Sequence, residues 1–567
     1  MKAFWFAALG AALLATGCGD SDTGAPEEPV PEQRPPAAAG GNPFFDDIDA
    51  GTAYVYANVD RLPEAVSDKM WAMNEAGAAT NRAMLDSLAE DDELPPQARD
   101  LIEEIAALIT RDGWQAAGLH ANPFYAFHAV QLMPFAHFEL ADGNAFAEFI
   151  GRIEDDMEQP LERRDVEGSE VIWIDIEQGF GIAVSHGDDA ATVAVIPDDA
   201  ALLARVAGRY EPPEAMGADA LASFNGESGF APYGSGYVDW QRVIDTLLAE
   251  DTPLAALADD EDFRRIAENP ACVAEYGALG DALPRLAFGY TRMTTEHMDF
   301  LVRQETTPEI AEQLKPIARA PASIDRELSG LFSLGLAVDI IAAREFARSL
   351  VDGWVASPPQ CPSFRDIAEQ APELQENLER PIPPVVTNVH GLFLEAMDFE
   401  LADNGMPTGG GTLTFFMNNP QLVVGMAQMF SPAVAEMPLE PDGEPLPVPE
   451  GAIPQLQQSG LEAWVAMGES ALGMAIGETH VDALTRGLDR TEPDDFLLTG
   501  RFDFALMSEL FELAENALAD VESEQAAAGL AAQREQYRIM AELYDEAGIT
   551  IRFGDRGVEF IGQSTLK

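Results

Sequence analysis

Two stretches of this chain, 281 positions apart, read as copies of each other. Gly187–Leu203 (GDDAATVAVIPDDAALL) lies without a gap over Gly468–Leu484 (GESALGMAIGETHVDAL). A second match places Gly236–Ile244 (GYVDWQRVI) over Gly500–Ser508 (GRFDFALMS), at an offset of 500 − 236 = 264. A weaker one places Tyr54–Asp60 (YVYANVD) over Ser333–Asp339 (SLGLAVD). Drifting offsets are what loop insertions leave behind in a tandem duplication. The expected organisation is therefore two diverged halves, at residues 46–310 and 320–567.

Within each half, alternating runs such as Val171-Ile-Trp-Ile-Asp-Ile176 have the period of half-buried strands, and amphipathic segments separate them. The expected order is strand–helix, strand–helix, hairpin–helix, strand–long helix, hairpin. Hairpins in place of uniform crossovers point to an α+β fold, a mixed and largely antiparallel sheet packed with helices. Residues 436–454 carry six prolines absent from the first half, so they read as a loop; long loops carry function more often than strands do.

The 567 residues hold 33 basic and 98 acidic side chains, a net charge of −65. Phosphate neutralisation needs clustered Lys and Arg, so nucleic acid is excluded as a partner. At 47% apolar residues the chain has enough material for a core.

No catalytic or metal motif survives inspection. Gly468-Glu-Ser-Ala-Leu472 approaches a nucleophile elbow, yet Leu472 replaces the last glycine and a strand follows, so it reads as a hairpin turn. The seven histidines form no H-E-x-x-H, and His128 and His137 are expected to be core or edge residues able to meet across strands. Acidic runs such as Glu90–Glu93 lack the glycine of a calcium loop, and Thr408–Thr412 precedes a strand, unlike a phosphate loop. No metal and no cofactor are expected. Asp60, Asp142, Asp239, Asp339 and Asp503 each stand where a helix should open and read as N-caps, with Asn419 in the same role.

Residues 1–18 (MKAFWFAALGAALLATGC) place Lys2 before an apolar run from Ala3 to Ala15, too short to span a bilayer. The segment resembles a bacterial lipoprotein signal peptide with Ala15-Thr16-Gly17-Cys18 as its lipobox, although Leu14 sits one place too early. The resemblance implies removal of residues 1–17, acylation of Cys18 and anchoring in the cell envelope. Gly19 in place of Asp after the cysteine favours the outer membrane, facing the periplasm, by analogy with enteric bacteria. Residues 18–45, rich in Pro, Gly and acid, read as a disordered tether. Export agrees with the remaining cysteines, Cys272 and Cys361, an even pair expected to form a disulfide between the halves. The body resembles uncharacterised bacterial envelope lipoproteins built from duplicated α+β units, which implies no activity. The expectation is a non-enzymatic module that binds or scaffolds a lipid, a peptide or another envelope protein. The rival is an envelope-polymer hydrolase with two carboxylates brought together from distant positions.

Overall fold

A computed structural model describes residues 41–89, 104, 106–156, 160–249 (save 178), 261–318, 320–321, 332–401, 407–449 (save 431), 461–488, 493–505 (save 495) and 537–567, with single positions between 505 and 537. Cys18, the signal segment and residues 19–40 lie outside them. The protein is mixed α+β, with 15 helices among the described residues and extensive antiparallel sheet. It divides into two compact units at Val302/Arg303.

The first unit opens earlier than the composition of its leader suggests. Asn42 accepts a hydrogen bond from Phe44 N–H and donates to the Asn58 and Tyr125 carbonyls. The 3-10 turn Pro43–Asp47 then buries Phe44 and Phe45, so the last four residues assigned to the tether are folded. Two adjacent aromatics supply enough apolar area to hold a segment that its neighbours would leave loose.

After this turn come β1 (Tyr54–Ala57), α1 (Glu64–Ala89), α2 (Arg111–Ala116) and the hairpin β2 (Tyr125–Val130)–β3 (Met133–Glu139). Helix α3 (Gly143–Asp156) leads to β4 (Glu162–Val166), β5 (Ser169–Glu177), β6 (Phe180–His186) and β7 (Ala190–Pro197). Then follow α4 (Ala200–Val206), α5 (Ala218–Ser228), β8 (Ser235–Asp239), α6 (Trp240–Leu247), α7 (Glu261–Ala267), α8 (Pro270–Ala282), β9 (Arg285–Met293) and β10 (His297–Glu305). The strands pair antiparallel in the order β4-β5-β6-β7-β3-β2-β1-β8-β9. One face carries a core of Val171, Trp173, Ala194 and Ile196 under Leu202, Leu203 and Val206 of α4. On the other, Phe146, Phe149, Ile150 and Ile153 of α3 cover Ile172 and Val184.

The second unit holds α9 (Pro308–Leu314), a two-residue strand β11 (Ala320–Pro321), β12 (Phe332–Ala337), α10 (Ile340–Ala356), α11 (Arg365–Glu379) and α12 (Pro384–Asn388). The hairpin β13 (Val389–Leu401)–β14 (Pro407–Met417) precedes α13 (Pro420–Phe430), α14 (Pro432–Ala435), β15 (Leu446–Pro447), β16 (Ala463–Met467) and β17 (Ala471–Ile476). Last come α15 (Val481–Leu488), β18 (Pro493–Asp494, paired with β11), β19 (Phe496–Phe502), β20 (Tyr544–Gly554) and β21 (Gly557–Leu566). Its order is β15-β16-β17-β14-β13-β12-β19-β20, again antiparallel. Strand for strand, this repeats β5-β6-β7-β3-β2-β1-β8-β9 of the first unit.

Two details differ from the pattern read in the sequence. The second strand of each unit is a hairpin, β2–β3 and β13–β14; in the first, Gln131 and Leu132 take positive φ in a turn that no Gly or Asn announces. The proline-rich loop is built into the sheet margin. Leu446 and Pro447 pair with Val465 and Trp464, and Val448 and Gly443 donate to the Ala463 and Met467 carbonyls. Proline lacks the N–H that would extend the ladder, so the loop closes an edge.

Candidate functional site

The central strands of the second unit bury the less expected of their two faces. One face carries Ser333, Phe393, Glu395, Thr412, Thr414 and Phe416, all buried. Helix α15 lies on it: a Cβ on Gly473 would meet Leu484 Cδ1 at 2.4 Å, so glycine there permits the contact. Alanines at 471 and 475 complete that surface, with Leu484 and Leu488 against them.

The opposite face is leucine-rich and open. Register places Leu336, Leu392, Phe415 and Leu472 in one row across β12, β13, β14 and β17, and Leu334, Leu394, Leu413 and Met474 in the next. Leu336 is 41% exposed, and Leu394 and Phe415 are 38% exposed each, far from the full burial such side chains usually reach. Every one of β12, β13 and β14 pairs on both sides, so the face offers side chains only and no backbone donors.

At one end these strands run into a small open pocket, lined by Asp339, Ile340, Ile341, Thr387, Val389, His390 and Asn418. Asp339 stands three residues past Leu336, His390 two before Leu392, and Asn418 three past Phe415. A register shift between Val389 and Gly391 sets His390 out of the ladder. The pocket wall is fixed by Val338 N–H donating to the His390 carbonyl, Asn418 Nδ2 to the Thr387 carbonyl and Asn388 Nδ2 to the Asn419 carbonyl. The Asp339 carboxylate accepts from Ile341 and Ala342 N–H at the start of α10.

The first unit differs at both places. On its corresponding sheet face α3 packs against β5, β6, β7 and Phe138 of β3, while β1 and β2 carry the half-buried aromatics Tyr56, Tyr125 and Phe127, which pack on one another. Its corresponding corner is filled by Arg61, which lies 4.3 Å over the Phe124 ring and donates to the Asn122 carbonyl and to Glu139. In the second unit Ile340 follows the aspartate, and the helix after the hairpin, α13, leaves Leu422 and Met429 exposed.

The other residues singled out in the sequence hold structural positions. Asp142, Asp239 and Asp503 accept backbone N–H bonds at helix starts, as Asn419 does. Asp60 does not: α1 begins at Glu64 behind Pro63, and Asp60 contributes its own N–H to the Pro232 carbonyl. Proline is preset for the first helical turn and moved the start past the aspartate. Asp199, Asn269 and Thr307 also cap helices, and a polar residue just ahead of Pro or Ala-rich segments was the signal for them. Ser470 sits in the β16–β17 turn, where Gly468 N–H bonds the Ala471 carbonyl. Cys272 and Cys361 are both buried and both in disulfide form.

His128 and His137 do meet across β2 and β3, with Nε2 atoms 3.0 Å apart and rings nearly parallel. Phe44 stacks on His137, and Thr192 Oγ1 bonds its Nδ1. Burial holds His128 down at about 3, helped by the neighbouring imidazole, and His137 at about 4. Both are neutral core residues. Among the described residues no three His, Cys, Asp or Glu side chains are placed to hold a metal ion. Asp47 is raised by burial and by Asp46, but both carboxylates lie on an exposed turn and line no cleft. No described helix is long and apolar enough to cross a membrane. No protein-family model, curated protein or solved structure matches the chain.

Proposed function

We propose that this is a lipid-anchored protein of the cell envelope, held through Cys18 and facing the periplasm, whose second unit binds a hydrocarbon-bearing ligand without catalysis. The observation that carries the ligand assignment is the open leucine face of β12, β13 and β14. Leu, Met and Phe side chains with no free backbone groups favour an acyl chain over a peptide, because a peptide laid there would lose water from its own N–H and C=O groups without replacement. Each methylene removed from water contributes about 0.8 kcal/mol, so even one chain supplies useful affinity. The shared strand order of the two units supports a tandem duplication, with leucines in the second copy where the first carries tyrosine and phenylalanine on the matching strands. The disulfide state of Cys272 and Cys361 supports their pairing with each other.

The test is native mass spectrometry of the gently purified protein before and after organic extraction. An extractable mass is expected, and Leu394→Asp should remove it while leaving the circular dichroism spectrum unchanged. A clean apo mass, together with no binding of a fluorescent hydrocarbon probe such as N-phenylnaphthylamine, would refute the assignment.

A further inference from the structure

We infer that the ligand's hydrocarbon is a single unbranched chain of about eighteen carbons, lying across the strands of the second unit from β17 to β20 and not along them. This rests on the open face being where the hydrocarbon binds. The row through Leu336 does not stop at β12. Register carries it from Leu472, Phe415 and Leu392 through Leu336 to Leu498 of β19 and Ile551 of β20. The next row runs beside it from Met474 to Ile549 and is apolar throughout save for Gly500. A chain with 98 acidic side chains places none of them in either row.

The span of this stripe sets the length of the ligand. Six strands spaced about 4.8 Å apart make it about 24 Å long. With C–C bonds of about 1.5 Å an extended chain advances about 1.25 Å per carbon, so about 19 carbons reach from end to end. Along a strand the apolar run is short: Leu392 and Leu394 give way to Ala396 on β13, and Leu413 and Phe415 to Gly411 on β14. Two such side chains cover about 7 Å, enough for about six carbons. The two transverse rows are ridges with one furrow between them, and Ala396 and Gly411 interrupt any third ridge, so one chain is accepted and the second chain of a diacyl lipid would stay in water. A second copy of this protein is disfavoured as the occupant, because two bodies of net charge −65 repel each other.

The intact protein, stripped of endogenous lipid, is loaded with N-phenylnaphthylamine and titrated, below micelle concentrations, with saturated lysophosphatidylcholines of increasing chain length from 10 to 22 carbons. The displacing concentration should fall about fourfold for each added methylene until the stripe is filled at about 18 carbons, then change by less than about threefold up to 22. Ile551→Thr and Leu472→Thr, at opposite ends of the stripe and with a β-branched replacement that suits a strand, should each weaken the 18-carbon ligand about fivefold. Neither should weaken the 10-carbon ligand by more than about twofold, because a short chain slides to the intact end. Circular dichroism separates lost contact from lost fold, and the length series on the unmodified protein decides the matter if a variant does not fold. A plateau at 14 carbons or fewer, affinity still climbing at 22, or end substitutions that weaken both ligands alike in folded protein, would overturn the inference while the open-face reading stands. Failure of both probe and lysolipids to bind would overturn both.

Discussion

Acid should weaken the first unit through His128 and His137 before it touches most carboxylates. Both imidazoles are buried against Phe44, Phe135 and Thr192, with Arg205 close enough to oppose a positive charge on His128. In the unfolded chain each titrates near 6.5, whereas in the folded protein they titrate at about 3 and about 4. The unfolded state therefore takes up protons first as pH falls, and stability declines from about pH 6.5 until the folded values are reached. At pH 5.0, about 1.5 units below the unfolded value, each histidine costs about 2 kcal/mol, or about 4 kcal/mol for the pair. That is a large share of the stability of one domain. The assay is urea unfolding at pH 7.5 and 5.0, followed by tryptophan fluorescence, which reports on Trp173 in the core of this unit. His128→Gln/His137→Gln should lose most of the pH dependence, with the carboxylates common to both proteins cancelling in the comparison. Parallel pH dependences in the two proteins would show that the pair is not the source.

Other expectations concern the backbone and the cysteines. Gly236→Ala would drive a methyl group to 2.0 Å from the Val55 carbonyl oxygen, and should cost about 3 kcal/mol in thermal or urea unfolding. Gly226→Ala, in the interior of α5 with open space around it, should instead stabilise by about 0.5–1 kcal/mol. A bridge between Cys272 and Cys361 should leave both unreactive to thiol reagents without reduction and the intact mass lighter by two hydrogens. Closing a loop of this length should contribute about 4–5 kcal/mol, read as the loss on reduction.

Much of the scaffold was legible because it depends on local signals that survive divergence. The β6–β7 and β16–β17 turns matched without a gap, and Asp239 and Asp503 marked the same strand-to-helix corner in both units. The site was not legible, for a physical reason. Alternation in Phe332-Ser-Leu-Gly-Leu-Ala337 shows that two faces differ, and hydrophobicity alone turns the leucines inward. The structure turns Ser333 and Gly335 inward, on the same face as Phe393, Thr414 and Gly473, where α15 packs closely over Gly473 of β17. The pocket needed more still. It depends on the irregular register at His390 and on Ile340 standing where the first unit has Arg61, and neither carries a motif.

The folded turn at Asn42–Asp47 also has a mechanical meaning. If the proposed attachment at Cys18 holds, Asn42 is among the first folded residues a pull from the N-terminal side would reach. That residue is bonded to the Asn58 and Tyr125 carbonyls, at the ends of β1 and β2 in the middle of the first sheet. Phe45 and Ile48 are fully buried just behind it, and Asp49 is tied to Arg205. Load is thus delivered to the interior of the sheet, where neighbouring strands share it, and does not peel a margin strand one bond at a time. Under the proposed anchoring at Cys18, a body gripped in this way would bear a pull without beginning to unravel.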